Sequence, residues 1–130
     1  MTGADPPQVP ERTILVVEDD ARVRRAAARI LIGAGYRVLE AEAEVHAMPL
    51  LDESPDLLLC DVVLPGAHGL QLVHEAERRL PAIQVVLMSG YAREALVRDH
   101  GLEADTALLL KPFTPQTLIA HVEARLGPRG

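Results

Sequence analysis

Five short apolar runs punctuate this chain, and most of them end abruptly in a polar residue before a helix-like stretch begins. Leu57-Leu58-Leu59-Cys60 stops at Asp61, Ile14-Leu15-Val16-Val17 runs into Glu18-Asp19-Asp20, residues 83–88 stop at Ser89-Gly90, and residues 106–110 run into Lys111-Pro112. Unbroken apolar runs of this length belong to strands buried on both faces, the pattern of parallel sheets. Parallel neighbours need a long crossover, normally a helix, so alternation of run and helix implies a parallel sheet with helices on both faces. Five such units match the smaller doubly wound α/β arrangement, with strand order 2-1-3-4-5. In that order the run at residues 36–40, broken by Arg37, lies at an edge, where one charged residue is tolerated.

Helical spacing supports the alternation. Val23, Ala27, Ile30, Leu31 and Ala34 recur on one face after the first strand, with Gly35 placed to stop that helix. A second helix is expected at about 44–52, but Pro49 inside it removes a donor and clashes with the preceding turn, so it should be short, kinked or late-starting. Leu72, Val73, Ala76 and Leu80 define a third helix at about 69–79, and a short fourth runs from Tyr91 or Ala92 to His100. Thr114-Pro115 reads as a cap followed by the proline-favoured first helical position, opening a last helix with Leu118, Ile119, Val122 and Leu126 on its apolar face. Residues 1–12, with three prolines, read as a flexible arm, 13–126 as one domain, and 127–130 as a tail.

Composition narrows the function classes. Thirteen basic and nineteen acidic residues give a net charge of −6, which argues against nucleic-acid or anionic-membrane binding. No apolar stretch approaches the roughly 20 residues needed to span a bilayer, and the start lacks a signal-peptide layout. One cysteine, Cys60, allows no internal disulfide and suits a reducing cytoplasm; in mid-strand it reads as core filling. The five histidines, His46, His68, His74, His100 and His121, show no ligand spacing and read as surface residues.

The strand ends carry the chemistry. In doubly wound sheets the C-terminal rim is where ligands bind, and here it collects Glu18, Asp19, Asp20, Asp61, Ser89 and Lys111. Clustered carboxylates repel unless a positive charge sits among them. A hard divalent cation such as Mg²⁺ (or Mn²⁺) answers that need, held by a couple of carboxylates while keeping waters. Lys111 supplies a compact charge for an oxyanion, and Ser89 a hydroxyl donor. Together these suit a carboxylate nucleophile that accepts a phosphoryl group. Taken separately, Asp19 and Asp20 could simply cap the first helix and Ser89 the fourth. The combination favours metal binding, leaving the cap to Asp20.

At these residues the chain resembles the receiver domain of two-component response regulators. The family places an acidic pair after strand one, an Asp after strand three, Ser or Thr after strand four and Lys-Pro after strand five; Glu18-Asp19, Asp61, Ser89 and Lys111-Pro112 follow that order. Pro65-Gly66 and Phe113 match family habits, and the resemblance spans about residues 13–126. It implies a flavodoxin-like (βα)5 fold with Asp61 as phosphoacceptor. Asp19, Asp61 and the backbone carbonyl of Val63 would hold the metal directly, and Glu18 through a metal-bound water. Ser89 and Lys111 would engage the phosphoryl group and relay its presence to the face built from the fourth helix, fifth strand and fifth helix. The peptide bond before Pro112 would be cis. The implied partner is a histidine kinase or histidine phosphotransfer protein; the state is a monomer or weak homodimer. The family's aromatic switch position is Leu108 here, which leaves Tyr91 as a substitute gate beside it, and Ser89-Gly90-Tyr91-Ala92 is similar to receivers of hybrid histidine kinases.

Two other readings compete. An aspartyl-nucleophile phosphohydrolase would place a second acid two residues after its nucleophile, but that position is Val63. A pseudo-receiver that binds partners without phosphorylation would have no need of Asp61, Asp19 and Lys111 together. The expected role is therefore that of a phosphoacceptor and not of an enzyme, with no residues left over for a DNA-recognition helix.

Overall fold

The computed structural model describes residues 11–64 and 67–127; the expected arm before Glu11, the Pro65-Gly66 pair and the last three residues of the expected tail lie outside that range. Strands β1 (Thr13–Val17), β2 (Arg37–Ala41), β3 (Leu57–Asp61), β4 (Gln84–Ser89) and β5 (Leu108–Leu110) form one parallel sheet in the order β2-β1-β3-β4-β5. Helices α1 (Ala21–Gly33), α2 (Glu44–Leu50), α3 (Gly69–Arg79) and α4 (Arg93–His100) supply the four crossovers, and α5 (Pro115–Leu126) follows the last strand. This is the flavodoxin-like (βα)5 arrangement, with β2 at one edge and Arg37 exposed on it. A two-residue antiparallel ladder, Val63–Leu64 against Ala67–His68, follows β3.

Alternation within each buried strand divides the core into two halves. Ile14, Val16, Leu57, Leu59, Val86, Met88 and Leu109 meet Ala27 and Leu31 of α1 and Leu118 and Val122 of α5. Leu15, Val17, Leu58, Cys60 and Leu87 point the other way, toward Ala47, Leu72, Ala76 and Leu96 of α2, α3 and α4. Each fully buried leucine contributes roughly 1.5–3 kcal/mol of transfer free energy, which is why these runs tolerate no charge until the sheet ends.

Local chemistry sets the helix ends. The Asp20 carboxylate accepts from Arg22 N–H to cap α1, and Thr114 accepts from Thr117 N–H at the start of α5, with Pro115 in the first turn. Pro49 leaves α2 at seven residues, after which the chain tightens into a 3₁₀ turn, Leu51–Glu53. The helix is short but starts on time. The fourth helix begins at Arg93, after Ala92 as cap, so Tyr91 stands outside it and Ser89 is not its cap. Arg12 is tied into the fold: its carbonyl accepts from Arg37 N–H at 2.9 Å, and its guanidinium donates to the Leu126 carbonyl. Among the described residues no helix is long and apolar enough to cross a membrane.

Candidate functional site

The rim at the C-terminal ends of β1, β3, β4 and β5 assembles the acids, hydroxyl and ammonium singled out above. β3 pairs with both β1 and β4, so Asp61 emerges in the middle of the sheet, level with Met88. It is 7% exposed. Its Oδ1 accepts from Val63 N–H at 2.8 Å, and its Oδ2 accepts from Lys111 Nζ at 2.5 Å. The same ammonium donates to Glu18 Oε1, so Lys111 bridges two carboxylates from strands that are adjacent in space. The Lys111–Pro112 bond is cis.

Glu18 is almost fully buried, whereas its neighbour Asp19 is exposed. Oxygens of Glu18, Asp19 and Asp61 lie within 4.8 Å of one another. Burial pushes the Glu18 carboxyl up to about 7; the Lys111 hydrogen bond pulls it back only in part, and the nearby Asp61 charge adds to the rise. Burial works against the Lys111 ammonium, but hydrogen bonds to Asp61 and Glu18 outweigh it and hold its pKa above the usual lysine value. Three acidic side chains converging on one point, with all-oxygen donors and open solvent on the Asp19 side, fit a hard divalent cation that keeps part of its water shell.

Ser89 is buried at the end of β4, and its Oγ accepts from Tyr91 N–H at 2.8 Å, which folds the β4–α4 loop over it. Its carbonyl accepts from Lys111 N–H at 2.8 Å, so the hydroxyl and the ammonium are delivered by hydrogen-bonded neighbours in the sheet. Of the two gate candidates, Tyr91 stands 59% exposed, and Leu108 is buried among Leu87, Leu96 and Leu102 on the far half of the core. Val63 is exposed beside Asp61. Cys60 is fully buried with its thiol pushed far up by burial, consistent with core filling.

Three residues escaped the sequence reading. Arg24, from the second turn of α1, donates to the Glu18 carbonyl at 2.9 Å and to Glu40 Oε1 at 3.3 Å. His121 is not merely a surface histidine: its ring spans the carbonyls of Thr117 and Leu108, at 2.9 and 3.2 Å, tying α5 to the edge strand. Neither of these two had a signal in the sequence, because each reaches a backbone carbonyl outside its own helix, and Arg24 also reaches Glu40 on the neighbouring strand, contacts that only packing creates. Gly69 was also unremarked: a Cβ there would lie 2.1 Å from the Asp61 carbonyl oxygen, so α3 can start against the site only with glycine.

Comparison with known proteins identifies the family. The model of the response regulator receiver domain matches residues 14–123. The chain is 35% identical over 117 residues to the sensor kinase CckA of Brucella abortus, covering 88% of this chain but 12% of that protein, so it spans a small part of that relative. It is 34% identical over 116 residues to the response regulator receiver protein CpdR of Brucella abortus, covering 88% of this chain and 97% of that one. A crystal structure of the receiver domain from the hybrid histidine kinase CckA superposes with a TM-score of 0.74 at 36% identity, covering 88% of this chain and 98% of the other. An acidic cluster, a strand-end Asp and a bridging Lys on a 2-1-3-4-5 sheet thus coincide with a family match across most of the sequence, and the chain belongs to the response regulator receiver domain family.

Proposed function

We propose that this receiver unit, residues 13–126, accepts a phosphoryl group on Asp61 from a partner histidine kinase or histidine phosphotransfer protein. The observation that carries the reading is the Lys111 ammonium at 2.5 Å from Asp61 Oδ2, with Glu18 and Asp19 oxygens close by. An Asp61 oxygen forms the new P–O bond as the donor's P–N bond breaks, and the departing imidazole nitrogen recovers a proton from solvent. Asp19, Asp61 and the Val63 carbonyl would hold Mg²⁺ or Mn²⁺, with Glu18 contributing through a water. The bound ion would neutralise charge on the phosphoryl oxygens.

Lys111 and Ser89 then recognise the product. Once the Asp61 oxygen is part of an acyl phosphate it is a weaker partner for the ammonium, and Lys111 follows the negative charge onto the phosphoryl group. Ser89 Oγ already accepts from Tyr91 N–H, and its own hydrogen is free to turn toward the incoming oxygens. Ser89 precedes α4, and Lys111 sits between β5 and α5, so the two residues adjoin the surface of α4, β5 and α5 proposed to change its partner contacts. With Leu108 packed in the core, movement falls to the loop from Ser89 to Tyr91, and the exposed Tyr91 ring is the gate. The protein acts as acceptor and relay, in the cytoplasm, and not as a turnover catalyst: Val63 offers no acid to activate water.

Incubation with a small phosphodonor and Mg²⁺, followed by intact-mass measurement, tests this. Asp61→Asn should abolish the mass gain of one phosphoryl group, and Asp19→Asn should reduce it strongly. A wild-type gain in Asp61→Asn would sink the assignment.

A further inference from the structure

We infer that Arg24 is a positioning residue for the acidic cluster, fixing the peptide plane between Glu18 and Asp19 so that the exposed Asp19 carboxylate stays within reach of Glu18 and Asp61. The inference rests on the metal-dependent reading of the site given above. Asp19 poses the problem: it is exposed, yet its carboxylate must stand within 4.8 Å of two buried acids from neighbouring strands. A side chain on the solvent side is held in such a place by its backbone.

That backbone is fixed from three directions. Glu18 N–H donates to the Ala41 carbonyl at 3.0 Å, extending the β1–β2 ladder by one residue. Asp20 N–H reaches Glu18 Oε2 at 3.3 Å, and Asp20 caps α1. Between these points the Glu18 carbonyl belongs to the same planar unit as Asp19 N–H, so whatever holds that oxygen sets the orientation with which the chain enters Asp19. Arg24 Nη1 holds it, at 2.9 Å.

Arg24 is itself well anchored. Its side chain is 13% exposed, and its Nε pairs with Glu40 at 3.3 Å, at the end of β2. Its own N–H donates to the Asp20 carbonyl at 2.9 Å, one helical turn from the cap. The planar guanidinium can serve a carboxylate and a carbonyl at once in fixed geometry, which a lysine ammonium does less well. Arg24 thus joins α1, the end of β2 and the β1–α1 loop at one point, directly behind the acids. Loss of such an outer hydrogen bond commonly weakens metal binding by about tenfold or more without touching a ligand.

The test uses the full chain, with Mg²⁺ titration followed by calorimetry and amide hydrogen exchange of the metal-free protein followed by NMR. Arg24→Met, which keeps the aliphatic stem, should weaken Mg²⁺ binding about tenfold and speed exchange at Glu18 and Asp20, whose N–H groups bond the Ala41 carbonyl and Glu18 Oε2, while the central strands stay protected. Arg24→Lys should recover part of both losses, and Glu40→Gln, which still accepts from Arg24, should remain close to wild type. Wild-type Mg²⁺ affinity with unchanged Glu18 and Asp20 exchange in Arg24→Met would overturn the inference. So would faster exchange spread evenly over the sheet, which marks a general structural role. If the wild-type chain itself takes up no Mg²⁺, the metal reading falls, and the metal-free exchange alone decides the role of Arg24.

Discussion

Replacing Lys111 with Met should destabilise the metal-free protein in a way that grows with pH and vanishes when a divalent cation is added. The ammonium bridges Glu18 and Asp61, whose side chains are 1% and 10% exposed. Without it, two carboxylates face each other with oxygens no more than 4.8 Å apart. Their repulsion is about 3 to 4 kcal/mol at an effective dielectric of about 20, and about 1 kcal/mol in bulk water. The rim opens to solvent on the Asp19 side, so the expected loss lies between, at roughly 1–3 kcal/mol.

The pH dependence follows from Glu18. Its folded pKa, about 7, stands above the ordinary glutamate value, so between about 4.5 and 7 the folded state holds a proton that the unfolded state has released. Stability from this group therefore falls as pH rises through that window. Removing Lys111 takes away the one contact that lowers the Glu18 pKa, shifting it higher still. Near pH 5.5 both proteins carry a protonated Glu18 and differ only by the lost Lys111–Asp61 pair; above about pH 7 the wild type gains an ionised Glu18 paired with Lys111, whereas the variant must either keep the proton or bear the repulsion, so the gap widens toward pH 8.5. Urea unfolding of both proteins at the two pH values, with and without Mg²⁺, measures this. A difference that is independent of pH, or larger at pH 5.5, would refute the reasoning, and so would one that Mg²⁺ leaves untouched.

Mg²⁺ affinity of the wild-type protein should fall as pH drops through about 7, because the ion must displace the proton from Glu18; calorimetry in buffers of different ionisation enthalpy should register proton release near that pH. Gly69→Ala should cost more than about 3 kcal/mol, since its Cβ would meet backbone at 2.1 Å and neither α3 nor Asp61 can yield cheaply; a thermal melt within a degree or two of wild type would count against the close approach. Hydrogen exchange with and without a phosphoryl mimic should change at residues 91–100 and 108–113; changes confined to residues 44–52 would place the output on another face.

Much of this protein was legible from hydrophobic pattern alone. Runs such as Leu57-Leu58-Leu59-Cys60 can be buried on both faces only inside a parallel sheet, and the helices follow because parallel strands need them. Asp20 and Thr114 announced their caps, and Arg37 announced its edge, because these effects act over a few residues. The rim chemistry was readable for a related reason: a strand's last residue is also the first able to leave the core, so polar residues at four strand ends had to converge. Pro49 shortened α2 as backbone chemistry requires, although the same chemistry could not say whether the start or the end of the helix would give way.

What the sequence left open is everything set by distance across the sheet. That Lys111 would bond Glu18 as well as Asp61 depends on β1 and β3 being neighbours with β5 two strands away, a relation no local window contains. Burial of Glu18 beside an exposed Asp19 is decided by which way each points as the chain leaves β1. Leu108 has the same composition-level signature as Leu109, yet the pleat sends one into each half of the core, and only the register of β5 on β4 determines which. Arg24, His121 and Gly69 belong to the same class: each meets a backbone carbonyl outside its own helix, and backbone carbonyls carry no mark in a sequence. Residue type settled which chemistry this chain could perform, and packing settled which atoms stand close enough to perform it.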